Sequence, residues 1–196
     1  MPELDESRLR KFRDEFARAE RLIKDVEEFC DEVAIPAINE LRYAGFHISG
    51  AIVGDASQPE EELEKAILHC HRSIYDAGNA GIIAGLEIFD EFAADYRAVI
   101  ITGVIPDWLD KLQEVNDVRD KASNHRLFGD EKSNDFDEQE KDFYFLRDLS
   151  RQLDIARTEL NKKVLQERRQ YRRFVSTVLI SVAGILAAIV VGIAAL

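Results

Sequence analysis

Arg42 and His47, in the stretch NELRYAGFH from Asn39 to His47, are the first residues whose types and spacing suit a catalytic pair. On a helix they lie about 140° apart around the axis, so within one monomer they do not converge on a single substrate atom, although an arginine can reach across a dimer. The plainer reading has Arg42 paired with an acidic neighbour and His47 as a half-buried histidine. The second candidate is HCHR, with His69, Cys70 and His71 in a row. Residues two apart on a helix point about 200° apart, so the two imidazoles cannot share a metal ion. Cys70 is expected in the core, and no cofactor and no metal is expected.

The elements that carry these residues read as helices. Four prolines and ten glycines in 196 residues are too few for an all-β architecture or a disordered chain. Apolar residues at Leu9, Phe12, Phe16, Ala19, Ile23, Val26, Cys30 and Val33 recur in steps of three and four, the pattern of one long amphipathic helix. Pro36 breaks it, and a second helix runs to Val53 with Ile38, Leu41, Gly45, Ile48 and Ile52 as its apolar side. Ser57, Pro59 and Glu60 mark the start of a third, whose stripe is Leu63, Ile67, Cys70, Ile74 and Ala77. Gly78, Gly81 and Gly85 then interrupt the pattern and imply either close helix packing or a break between Gly78 and Gly81. A fourth helix starts at Pro106 and Asp107, and the polar run from Ser123 to Asp135 reads as a mobile loop. From Asp137 a last helix, with Leu146, Leu149, Leu153, Ala156 and Leu160 on its seam, meets no breaker before the end of the chain.

That end is FVSTVLISVAGILAAIVVGIAAL, Phe174 to Leu196, an uncharged run of 23 residues. As a helix it measures roughly 34 Å and is expected to span a bilayer. Lys162, Lys163, Arg168, Arg169, Arg172 and Arg173 precede it as a basic collar, which faces lipid headgroups and holds the bulk of the chain in the cytoplasm as a single-pass, tail-anchored protein. Residues 1–161 carry 37 acidic against 20 basic side chains, within a net charge of −12 for the chain. So acidic a body repels a phosphate backbone, and extensive nucleic-acid binding is not expected. Cys30 and Cys70, in a reducing compartment, are expected as free thiols.

The fold expected is therefore all-α: a cytoplasmic helical bundle (1–135), a long connecting helix with the collar (136–173), and a single transmembrane helix (174–196). Within the last, Thr177, Ser181, Gly184, Ala188, Gly192 and Ala195 fall three or four apart and form one face of small residues. Such a face suits close approach of helices, so an oligomer of this chain is expected.

The combination of NELRYAGFH with PEEELEKAILHCHRSIYDA, Pro59 to Ala77, resembles the HEPN-like helical-bundle proteins of bacteria over roughly residues 20 to 95. That resemblance implies a metal-independent ribonuclease in which two subunits pair their motifs. Arg42 would then stabilise phosphate charge and His47 would act as general acid or base. A helical sensor joined to one membrane helix also resembles antiphage-defence membrane effectors. The expectation that joins these features is an oligomeric membrane effector, channel-like or membrane-permeabilising, controlled through its cytoplasmic bundle by a regulatory nucleotide ligand or a partner protein. A membrane-anchored HEPN-like ribonuclease and a non-enzymatic membrane scaffold are the alternatives, and the balance of residues leans away from an enzyme.

Overall fold

Helix α1 (Glu6–Cys30) opens on Asp5, whose carboxylate accepts from the Ser7 amide at 2.9 Å, and closes on Asp31 in left-handed geometry at φ 55°. The side-chain cap satisfies one of the amides a helix start leaves unpaired, and the left-handed residue ends the turn. The chain re-enters helix at once as α2 (Ile35–Val53), with Pro36 in its first turn, where the missing N–H costs nothing. Then come α3 (Pro59–Asp95), a 3₁₀ turn at Ile101–Gly103, α4 (Trp108–His125) and α5 (Phe136–Ala194). The computed structural model describes residues 4–53, 58–125 and 135–194, the side chains of 124, 125 and 186–194 excepted. Ser57 and residues 126–134 of the expected loop lie outside the described residues; α3 begins instead with Gln58 at its cap, which makes no side-chain cap bond.

α3 is the axis of the bundle, with α1, α2 and α5 packed around it. Ion pairs of Arg8 with Glu60 and Glu64 at the start of α1 show that α1 runs in the direction of α3. Contacts of α3 with α5 advance together along both helices, from Gly78 against Gln139 to Tyr96 against Asn161, so these two also run parallel. α2 returns antiparallel, pairing Glu40 with His69 and His47 with Glu62.

The three glycines of α3 are contact points and not breaks, since α3 is continuous through them. A Cβ on Gly78 would lie 3.0 Å from the Gln139 backbone, one on Gly85 would lie 2.7 Å from Leu146 Cβ, and one on Gly81 would overlap the Phe143 ring. Their missing side chains let α5 lie close, and Phe143, Leu146, Leu149, Leu153 and Leu160 are buried in the resulting seam. The seam ends in an aromatic cluster where Phe89 stacks on Trp108 at 5.2 Å and the Tyr96 hydroxyl donates to Asn161 Oδ1 at 2.9 Å. The apolar side of α2 differs from its expected one. Ala37, Ala44 and Ala51, seven residues apart, are fully buried against α3, whereas Ile38 and Ile52 are exposed. Alanine admits a closer helix approach than isoleucine, and the Ser73 hydroxyl donates to the Ala37 carbonyl at 2.8 Å across that contact.

One expectation of fold class is corrected. The chain is all-α among the described residues and α5 is continuous over 59 residues, but no helix of the described residues is long and apolar enough to cross a membrane. The described apolar side chains of α5 run from Phe174 to Ile185, about 18 Å of helix against the roughly 30 Å of a hydrocarbon core. Before them the helix is charged as far as Arg173. The transmembrane segment expected at 174–196 is thus not provided by the described residues of α5.

Candidate functional site

Arg42 and His47 do not meet. The Arg42 side chain is exposed, its guanidinium carbon 5.3 Å from the centroid of the Tyr43 ring, whereas His47 turns toward α3. There His47 Nδ1 and Glu62 Oε2 share a hydrogen bond of 2.6 Å, and Glu62 Oε1 accepts from Lys65 Nζ at 2.8 Å. The bond from His47, with a smaller contribution from Lys65, holds the Glu62 carboxyl below the ordinary carboxylate range.

His69, about two turns further along α3 than Glu62, is arranged as the mirror of this pair. Its Nδ1 bonds Glu40 Oε2 at 2.7 Å, so that each helix supplies one imidazole and one carboxylate. The two rings stack at 5.0 Å and 13° from parallel, and Tyr43 lies tilted at 5.5 Å from His69. The antiparallel course of α2 along α3 is what brings His47 and Glu40 opposite Glu62 and His69. Chemically this is two oriented imidazoles, each with a carboxylate at Nδ1, the arrangement that fixes a tautomer for proton transfer or for strapping two helices together. The sequence singled out His47 and His69 separately; that the two meet, with Glu62 and Glu40 as their partners, could be found only with the interhelical register in hand.

His69 and His71 diverge as the helical spacing requires. His71 points to the other side of α3, stacked on Phe136 at 4.0 Å and 12°. Its buried Nε2 has no hydrogen-bond partner and lies 3.8 Å from Glu15 Oε2, also buried and unbonded. Burial pushes the His71 pKa below its usual value, against the pull of Glu15. Cys70, fully buried between them, has its thiol pushed up to about 12 by burial and by Glu15. Cys30 is also a free thiol, half-buried. Among the described residues no group of three or more His, Cys, Asp or Glu side chains is placed to hold a metal ion.

The collar occupies the point where α5 leaves the bundle. Among the described residues Leu160 is the last fully buried and Val164 the last packed against the core. Lys162 pairs with Glu159 at 2.7 Å, Lys163 folds back toward Gly103, and Arg168 lines a groove with Asp95, Tyr96 and Asn161. Arg169, Arg172 and Arg173 are exposed. The surface then changes character within one turn: Phe174 is 65 % exposed and Ile180 72 %, and Val178, Leu179, Val182 and Ile185 are exposed beside them. Thr177 and Ser181 are exposed, Thr177 donating to the Arg173 carbonyl at 2.9 Å, and nothing lies within 4 Å of a Cβ placed on Gly184. Ala188 and Gly192 lie on α5, their side chains outside what is described, and Ala195 lies outside the described residues.

No protein-family model matches this chain, and no curated protein and no solved structure matches it. The reading of function therefore rests on the geometry.

Proposed function

We propose that the chain is a non-enzymatic membrane-surface effector: a helical scaffold that α5 fixes to an anionic lipid surface, leaving the acidic bundle to engage its regulator. The observation that carries this reading is the order of surfaces along one uninterrupted helix, in which six bases are followed directly by apolar side chains that no described part of the bundle covers. A helix surface that is apolar all round and uncovered needs apolar surroundings. Bases beside an anionic bilayer contribute about 1 kcal/mol each, within a Debye length of roughly 8 to 10 Å. The acidic body is repelled by the same surface, so the two signs of charge orient the molecule with the end of α5 toward lipid.

The arrangement at α2 supports a binding role more than catalysis. Arg42 and His47 point to different surroundings, and His47 is engaged by Glu62. Flotation of the full-length protein with vesicles tests the proposal. Binding to phosphatidylserine-containing vesicles at low salt, with loss on the order of 100-fold or more when Arg168, Arg169, Arg172 and Arg173 are all changed to glutamine, is expected. Equal partitioning of wild type and the fourfold variant, or no flotation with anionic vesicles, would refute it.

A further inference from the structure

We infer that the groove between the end of α3 and α5, lined by Asp95, Tyr96, Asn161, Val164, Leu165 and Arg168, is a headgroup site for a phospholipid that carries a primary ammonium, phosphatidylethanolamine being the simplest. The site rests on the lipid-surface reading of α5 and adds to it a chemical preference that the charge of the collar alone does not supply. The groove has a volume of about 440 Å³, within the range of small-molecule sites.

Its polar groups are in different states. Arg168 makes no ion pair among the described residues, and helical side chains tilt toward the N-terminus of their helix, so this guanidinium reaches back from the collar into the groove as a partner for a phosphate. Asp95 is 60 % exposed; Arg157 Nη1 donates to its Oδ2 at 3.0 Å, which orients the carboxylate and leaves Oδ1 for a second donor. Between them the Tyr96 hydroxyl donates to Asn161 Oδ1 at 2.9 Å, so the Asn161 amide keeps its N–H groups for an acceptor.

Charge complementarity selects the occupant. A carboxylate close to an anionic surface is repelled by it unless it meets a cation, so a headgroup with a phosphate alone suits Arg168 and opposes Asp95. A quaternary ammonium neutralises Asp95 but has no N–H to donate. A primary ammonium does both, and a charge-assisted hydrogen bond is the stronger contact. The order of groups also matches. From the apolar side chains that start at Phe174 back toward the bundle come Arg168 and then, about two turns further, Asn161 at the level of Tyr96 and Asp95, just as a phospholipid presents acyl chains, phosphate and then ammonium. Arg168 precedes Phe174 by about 9 Å of helix, so α5 leans with its groove side toward the surface.

The test is flotation of the full-length protein with two sets of vesicles of equal charge, phosphatidylglycerol mixed with either phosphatidylethanolamine or phosphatidylcholine. Wild type should bind the ethanolamine set roughly tenfold more tightly, the effect of one charge-assisted hydrogen bond. Asp95→Asn should bind both sets as wild type binds the choline set. Asp154→Asn, which removes another carboxylate paired with Arg157 but outside the groove, should keep the preference. Circular dichroism should show unchanged helix in both variants, since both ion pairs lie at the surface. Equal binding of the two sets by wild type, a preference that survives Asp95→Asn, or one lost equally in Asp154→Asn would overturn the inference and leave the lipid-surface reading standing. No flotation with either set would refute that reading and the headgroup site together. Glycerophosphoethanolamine, the same headgroup without acyl chains, separates the sources: if it binds a wild type that floats with neither set, the groove takes a soluble phosphoamine and the lipid assignment is overturned.

Discussion

The imidazoles of His47 and His69 stack 5.0 Å apart and 13° from parallel, each bound at Nδ1 by a carboxylate of the opposite helix. α2 is thus strapped to α3 twice, at points about two turns apart along α2, on a contact otherwise made of alanines. Because each strap is half-buried, loss of one partner leaves the other under-satisfied.

His47→Ala should therefore destabilise the bundle by about 1 to 3 kcal/mol in denaturant melts, and Glu62→Gln by less, since an amide still accepts a hydrogen bond. The double variant should cost less than the sum of the two, because both act on one interaction. Full additivity would mean that His47 and Glu62 do not cooperate.

His71 and Glu62 set the response to acid. The His71 pKa is depressed by burial, so the unfolded chain binds its proton more readily; stability is complete above the ordinary value of 6.5 and falls as pH drops below it. Glu62, also depressed, contributes stability that is present above its ordinary 4.5 and is lost as pH falls through its lower folded value. Melting temperature against pH should show both declines. His71→Leu should flatten the first, and Glu62→Gln the second.

Gly81 sits where a methyl group would overlap the Phe143 ring, and both residues are buried. Gly81→Ala should cost about 1 to 3 kcal/mol despite the better helix propensity of alanine, because the core cannot yield to the added volume. A neutral or stabilising effect in urea titration would show that α5 moves away from α3 easily.

Cleavage of RNA by the purified protein in EDTA is not expected, and Arg42→Ala should leave its melting temperature nearly unchanged, since the side chain is exposed. Metal-independent cleavage abolished by both Arg42→Ala and His47→Ala would restore the ribonuclease reading.

Much of the helical order was legible in the sequence because it depends on local signals. Pro36 opens α2, Pro59 opens α3, and the stripe Leu63, Ile67, Cys70, Ile74 and Ala77 is buried as its period implies. Gly78, Gly81 and Gly85 signalled close packing, but their partners Gln139, Phe143 and Leu146 are some 60 residues away and no local pattern pairs them. α2 departs from its sequence pattern for a physical reason: the spacing puts its large apolar residues inward, whereas close approach to α3 selects the small ones, Ala37, Ala44 and Ala51. The His47 cluster needed the register of α2 on α3, which rests on that alanine contact. The spanning helix was inferred from the length of an uncharged run and the basic collar before it, and the described portion of α5 does not provide it.

The lipid contact of α5 can be read directly at Phe174. The chain has a single tryptophan, Trp108, inside the aromatic cluster of the bundle, so Phe174→Trp adds one indole at the point where the collar meets the apolar surface. With phosphatidylserine-containing vesicles, the fluorescence gained relative to the parent should shift to shorter wavelength and be quenched by spin-labelled lipid, while the emission of Trp108 in the parent stays unchanged. An added indole that keeps its aqueous emission and escapes quenching, at a vesicle concentration where the protein floats or not, would contradict a membrane-surface role for α5.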